Sequence, residues 1–181
     1  MTKSHEYEAV TAALKREERG ESWYKKTAAA IENPIAKATF ATLARRQRKY
    51  VETIQRIHQT VHQGSASRSR KVTFPSLQSV PTVIETLFRN VGAFDGKKTE
   101  TSACDIFKAY SWALGFEEKG AGIYARKTGS FDGSFLGALF DFLRRRKGEH
   151  YQILDGTLTY LLCPESFFEE TAKLPLSLKG E

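Results

Sequence analysis

The sequence predicts an all-α protein, a bundle of four long helices built from two helix hairpins related by an internal pseudo-two-fold. Three observations predict it. Ala13-Leu14-Lys15-Arg16-Glu17-Glu18-Arg19-Gly20, followed by Tyr24, recurs as Ala113-Leu114-Gly115-Phe116-Glu117-Glu118-Lys119-Gly120, followed by Tyr124, at an offset of 100 residues without a gap. The match continues through Ala38/Ala138, Phe40/Phe140, Leu43/Leu143, Arg45/Arg145 and Arg46/Arg146. Self-similarity at a fixed offset marks a duplicated structural unit. Apolar residues in both copies recur at three- and four-residue spacing, the helical period. Turn residues fall in the middle of each copy, so each reads as helix, turn, helix.

The first helix runs from about Ser4 to Ile31, with Ala9, Ala13, Leu14, Glu17, Gly20, Tyr24 and Ala28 on one face. Asn33 is placed to cap the second helix and Pro34 to fill its first position. That helix continues to about Gln63, with Phe40, Leu43, Gln47, Tyr50, Ile54, Ile57 and Val61 on its inner face; Gly64 marks its end. Residues 64–101 form a long crossover. It starts with Gly-Ser-Ala-Ser-Arg-Ser-Arg-Lys and holds a short helix over 81–90, whose Val83, Ile84, Leu87 and Phe88 dock on the bundle. Gly92 and Asp95-Gly96 break it. The third long helix starts near Ser102, with Asp105 as an acidic capping box, and ends at Thr128-Gly129. Asp132 is expected to cap the fourth, which runs to about Leu162 before Pro164. An amphipathic turn, Glu165 to Ala172, lies in the tail. The whole reads as a single domain: hairpin one 4–63, crossover 64–101, hairpin two 102–162 and tail 163–181. Two antiparallel hairpins whose middle helices are joined end to end need such a crossover.

A chain of 181 residues can bury a sizeable core. No run approaches the ~18–20 apolar residues of a membrane span. Met1 to Glu8 has no apolar segment of signal-peptide type, and it carries acid without arginine, a poor transit peptide. Cys104 and Cys163 form no Cys-x-x-Cys pair, which excludes a rubredoxin-type or zinc-ribbon module within this chain. A reducing intracellular compartment, cytoplasm or organelle matrix, is the expectation. The formal net charge of +7 suits an acidic partner.

Glutamates on inner helix faces need a reason. Glu17 shares its face with Leu14, Gly20 and Tyr24, and Glu117 repeats the pattern. A buried carboxylate is costly unless paired, hydrogen-bonded or bound to metal. In bundles the common solution is a di-metal centre, with one Glu from each of two helices and Glu-x-x-His from each of the others. The duplicated Glu-Glu-x-Gly-x-x-x-Tyr pattern resembles the rubrerythrin branch of the ferritin-like superfamily, over roughly residues 5–63 and 102–162. That resemblance implies a ferritin-like four-helix bundle, often dimeric, with a di-iron site acting on peroxide or oxygen, or handling iron.

The chain departs from that pattern at the metal ligands. Where the second and fourth helices should read Glu-x-x-His, they read Gln47-Arg48-Lys49-Tyr50 and Lys147-Gly148-Glu149-His150. Gly120 stands where the resemblance implies a further carboxylate. Of the implied ligands, Glu17, Glu117 and His150 remain as metal candidates, for iron or manganese. Lys147 puts a positive charge where a bridging carboxylate belongs, so an ammonium can take over part of the metal's electrostatic role. The expected centre is a buried polar cluster of Glu17, Glu117, Lys147, Gln47, Tyr50 and His150 without metal, with Arg16 or His150 offsetting the remaining negative charge.

Other residues invite functional readings. His58 and His62 have metal-binding spacing but no third ligand, and read as surface histidines. Tyr24, Tyr50 and Tyr124 could form a redox chain beside a metal; packing with one satisfied hydroxyl is the plainer role. Trp112 is expected to face away from Glu117, towards the crossover helix or a partner. Arg45, Arg46 and Arg48 match Arg144, Arg145 and Arg146 in level, forming a positive collar that Arg68, Arg70 and Lys71 extend. Either the collar is a solvated face, or it docks RNA or an acidic protein.

The functional expectation is a rubrerythrin-like protein that has lost di-iron chemistry. It serves, without enzymatic activity, as a structural or binding module, such as an assembly subunit or homodimer. The alternative is an iron-binding or peroxide-handling oxidoreductase with a reduced metal site.

Overall fold

The computed structural model describes residues 3–62, 73–91 and 103–163. They form five helices: α1 (Lys3–Ala30), α2 (Pro34–His62), α3 (Val80–Val91), α4 (Ala103–Ser130) and α5 (Phe135–Leu162). Among the described residues there is no strand. The fold is an all-α bundle. α1 lies along α2, α4 lies along α5, α2 touches α5, and α3 packs on both α2 and α5. No helix is long and apolar enough to cross a membrane among the described residues.

Local chemistry sets the helix ends. Asn33 Oδ1 accepts from the Ala36 N–H at 3.0 Å, and Pro34 opens α2, as the sequence predicts. The cap of α5 is a correction. Asp132 does not cap that helix; its Oδ1 accepts from the neighbouring Gly133 N–H at 2.9 Å. Gly133, at φ 69°, turns the chain, and Ser134 Oγ then accepts from Gly137 N–H at 3.1 Å. A left-handed residue favours glycine, and it moves the helix start past Asp132. At the far end of α5 the Cys163 N–H donates to Thr159 O at 2.9 Å. Gly64, residues 64–72 of the crossover with Arg68, Arg70 and Lys71, Gly92, Asp95-Gly96, Ser102, Pro164 and the 165–172 turn lie outside the described residues.

α3 docks as its pattern predicts. Val83 and Leu87 are buried, and Phe88 meets Tyr160 with ring centroids 4.4 Å apart. Burying one such aliphatic side chain is worth roughly 1.5–3 kcal/mol, enough to hold a short helix that would not persist alone.

The apolar core falls into two clusters. One holds Tyr24, Phe40, Leu43, Tyr110, Ile153 and Leu154, with Val83 and Leu87 of α3. The other holds Val10, Tyr50, Ile54, Tyr124, Phe140 and Leu143. On α1 the switch between them comes between Ala13 and Tyr24, and on α5 between Leu143 and Ile153. Glu17 and Lys147 lie within those intervals. The four long helices therefore change from one apolar cluster to the other across a single polar layer.

Candidate functional site

The polar layer is built from one position on each long helix: Glu17 (α1), Gln47 (α2), Glu117 (α4) and Lys147 (α5), all fully or almost fully buried. Lys147 Nζ lies 2.8 Å from Glu17 Oε2 and 3.0 Å from Glu117 Oε2. It sits as a compact positive charge between the two carboxylates. Gln47 Nε2 donates to Glu17 Oε2, and also to the Glu17 carbonyl at 3.2 Å. That orientation leaves Gln47 Oε1 buried without a hydrogen-bond partner. Turning the amide over would aim its oxygen at a carboxylate, which is worse.

The tyrosines close the layer by a reciprocal exchange. Tyr24 of α1 donates to Glu117 Oε1 of α4, and Tyr124 of α4 donates to Glu17 Oε1 of α1 at 2.6 Å. Each tyrosine lies seven residues after the glutamate of its own copy, two helical turns along the same face. Both tyrosine pKa values are raised well above the usual 10.0, by burial first and by the carboxylates they serve. They stay protonated and act only as donors.

Tyr50 and His150, 100 residues apart, complete the set. Tyr50 OH lies 3.2 Å from His150 Nε2, and His150 Nδ1 lies 3.4 Å from Glu117 Oε1. Burial lowers the His150 pKa despite the favourable carboxylate, so the ring is neutral near pH 7. The pattern assigns Nδ1–H as donor to Glu117 and Nε2 as acceptor from Tyr50. Burial raises the Tyr50 pKa too, which keeps its proton available. For Glu117, burial alone would raise the pKa; the Lys147 ammonium, His150 and Tyr24 outweigh it and hold the carboxyl at about 2. Burial likewise works against the Lys147 charge, but the two carboxylates raise its pKa.

Close approach depends on two glycines at equivalent positions. A Cβ on Gly20 would stand 3.0 Å from Phe116 Cε1. A Cβ on Gly120 would stand 3.1 Å from Lys147 Cδ and 3.3 Å from Arg16 Nη2. Arg16 donates from Nη2 to Phe116 O at 2.8 Å, and its guanidinium lies 4.5 Å from the Phe116 ring centroid. Arg16 therefore seals the edge of the layer without pairing with either carboxylate.

These residues do not fit a di-metal centre. All four carboxylate oxygens already face protein donors or Lys147. Gln47 and Lys147 stand at the positions where the resemblance implies bridging carboxylates. Glu17, Glu117 and His150 share the layer, but Lys147 lies between the carboxylates. Among the described residues no group of three His, Cys, Asp or Glu side chains is placed to hold a metal ion.

The collar is largely spent on neighbours, and two of its members are not exposed. Arg46 is buried, pairing with Glu149 at 2.6 Å and donating to Gln78 O at 3.0 Å. Arg146 is half-buried, pairs with the same Glu149 and covers the Phe142 ring. Arg144 and Arg145 both pair with Asp141, and Arg48 pairs with Glu52. Arg45 donates to Thr42 Oγ1. The sequence reading missed Glu149, whose three-residue spacing from Arg146 was the available signal.

Trp112 also needs correction. Among the described residues its ring partners are not on α3: it stacks on Trp23 of α1 with centroids 4.0 Å apart, and on Phe116 at 5.2 Å. The Trp23–Trp112 stack places it over the α1–α4 seam. His58 Nε2 lies 2.8 Å from Thr11 Oγ1, and both His58 and His62 pack against Tyr7. The thiols of Cys104 and Cys163 are exposed. Comparison of the chain with protein-family models, curated proteins and solved structures finds no match.

Proposed function

We propose that this protein is a rubrerythrin-like, ferritin-like bundle that has exchanged di-iron chemistry for a buried ion-pair network, and that it serves as a structural or binding module. The observation that carries the reading is Lys147, within 3.0 Å of both Glu17 and Glu117. An ammonium there supplies positive charge that a metal pair would otherwise bring, and it needs no loading. The aromatic and polar donors around it fix both carboxylates in one geometry. Buried ionic networks seldom add net stability, but they penalise misregistered packing, which suits a rigid module. The basic surface then provides the means of engaging an acidic partner.

The test is metal analysis of protein purified after expression with added iron and manganese. The expected result is well under one transition metal per chain and no iron absorption band. Two metals per chain at full occupancy would overturn the proposal in favour of an iron-binding or peroxide-handling oxidoreductase.

A further inference from the structure

The seam between α1 and α4 opens into a groove of about 600 Å³. That volume lies within the roughly 300–1,000 Å³ of small-ligand sites. Lys15, Arg16 and Arg19 line it from α1; Trp112, Gly115 and Lys119 line it from α4. Among the described residues that line it there is no carboxylate. Arg16 is committed to Phe116, but Lys15, Arg19 and Lys119 are exposed. Among the described residues none of these three forms an ion pair. That separates them from the collar, whose cations are mostly answered by acids of their own helices.

We propose that this groove binds a chain of two or three phosphates, as carried by a nucleoside di- or triphosphate. Lys15 and Arg19 are one helical turn apart, about 6 Å along the axis. Lys119 faces them from the other wall. Three unanswered cations lining one groove call for a ligand whose negative charge is equally concentrated. A phosphate chain is such a ligand, and the planar guanidinium of Arg19 matches phosphate oxygens in pairs. An acidic peptide spreads its charge over more chain, and an extended nucleic acid needs a longer cationic track. Gly115 leaves open space on the α4 wall: a Cβ there would meet nothing within 4 Å. Trp112, which also lines the groove, stacks on both Trp23 and Phe116, an arrangement that covers the ring's faces more than its edge. An aromatic edge carries partial positive charge and favours an anion next to it. The inference goes beyond the module reading and holds whatever the metal content of the core.

The experiment is calorimetric titration of the whole chain at low salt with ATP, ADP, AMP and inorganic tripolyphosphate, and with a short single-stranded RNA. Affinity is expected to rise at least tenfold from AMP to ATP. Tripolyphosphate tighter than ATP would assign the groove to free polyphosphate; ATP tighter than tripolyphosphate would assign it to a nucleotide. Either outcome supports the phosphate-chain site. Arg19→Glu with Lys119→Glu is expected to lower ATP affinity more than tenfold, while Arg45→Glu with Arg144→Glu leaves it within twofold. Melting curves of both variants check that these exposed changes leave the fold intact. Binding of RNA alone, no binding of any phosphate chain at millimolar concentration, or equal losses from both variant pairs would overturn the proposal.

Discussion

Tyr124 donates its hydroxyl to Glu17 Oε1 at 2.6 Å, joining α4 to α1 across 107 residues of chain. The mirror-image bond joins Tyr24 to Glu117. The two are not equivalent in what they leave behind. Glu17 Oε1 has Tyr124 alone, whereas Glu117 Oε1 also faces His150 Nδ1 at 3.4 Å. Leaving a buried acceptor without a donor costs about 1–3 kcal/mol, and more for a charged one. Tyr124→Phe should therefore destabilise by more than Tyr24→Phe, with the former at or above the top of that range. Urea unfolding of the two variants checks it. Equal losses would mean that His150 gives Glu117 no support.

Lys147 is the only cation between two buried carboxylates among the described residues. Lys147→Met keeps most of the side-chain volume and removes the charge. Removing one partner of a buried ionic cluster costs about 3–5 kcal/mol. Replacing Glu17, Glu117 and Lys147 together with apolar residues should cost far less, because no charge is then stranded. Denaturant titrations of the single and triple variants decide it; a neutral Lys147→Met would sink the electrostatic account of the layer.

The bundle and its inner faces were legible because helical periodicity is a local property that packing then uses. Phe40, Leu43, Gln47, Tyr50, Ile54 and Ile57 are read as one face and are all buried. The membership of the polar layer was legible for a related reason: glutamate, glutamine and lysine fall in phase with apolar residues. What the sequence did not reveal is pairing between helices. The Tyr24–Glu117 and Tyr124–Glu17 exchange depends on how α1 faces α4, which periodicity along one helix does not encode. Arg46 reads as part of a collar because it belongs to a basic run matched in level by Arg144 to Arg146, yet it is buried against Glu149. Trp112 is expected against the crossover helix or a partner, but the ring it stacks on is Trp23 of α1, a pairing between helices that periodicity along α4 does not encode.

The layer also predicts how stability responds to pH. Glu117 is held at about 2, below its ordinary 4.5, and His150 is lowered from 6.5. In both cases the unfolded chain takes up a proton at a pH where the folded chain does not. Each contribution is therefore complete above the ordinary value and is lost as pH falls below it. Acidification should weaken the fold in two stages, the first beginning near 6.5 from His150 and the second near 4.5 from Glu117. The raised Lys147 pKa works at the other end: its contribution is complete below the ordinary 10.5 and fades only above it. Urea midpoints measured between about pH 8 and pH 3 should show both acidic stages. His150→Gln should remove the first stage and leave the second. A midpoint that stays level through both stages would contradict the assigned charge states.

Two glycines on α5 should respond to alanine in opposite directions. Gly148 sits in the helix interior, is exposed, and a Cβ there would meet nothing within 4 Å. Alanine at such a place adds helix propensity and restricts the unfolded chain, so Gly148→Ala should stabilise by roughly 0.5–1 kcal/mol. Gly137 lies in the first turn of the same helix, where a Cβ would stand 2.4 Å from the carbonyl oxygen of Phe131. That oxygen cannot easily retreat. It accepts from both Ser134 N–H, at 3.1 Å, and Ser134 Oγ, at 2.5 Å, while the Phe131 ring is buried against Phe140. Gly137→Ala must push the turn outwards, loosening the Ser134 cap along with the Phe131 contact. A forced backbone shift of this kind costs typically 1–3 kcal/mol, which outweighs the propensity gain. Thermal or urea unfolding of the two single variants should give midpoints on either side of the parent. If both rise, the Phe131–Ser134 turn is more pliable than its hydrogen bonds suggest, and Gly137 is not there for close packing.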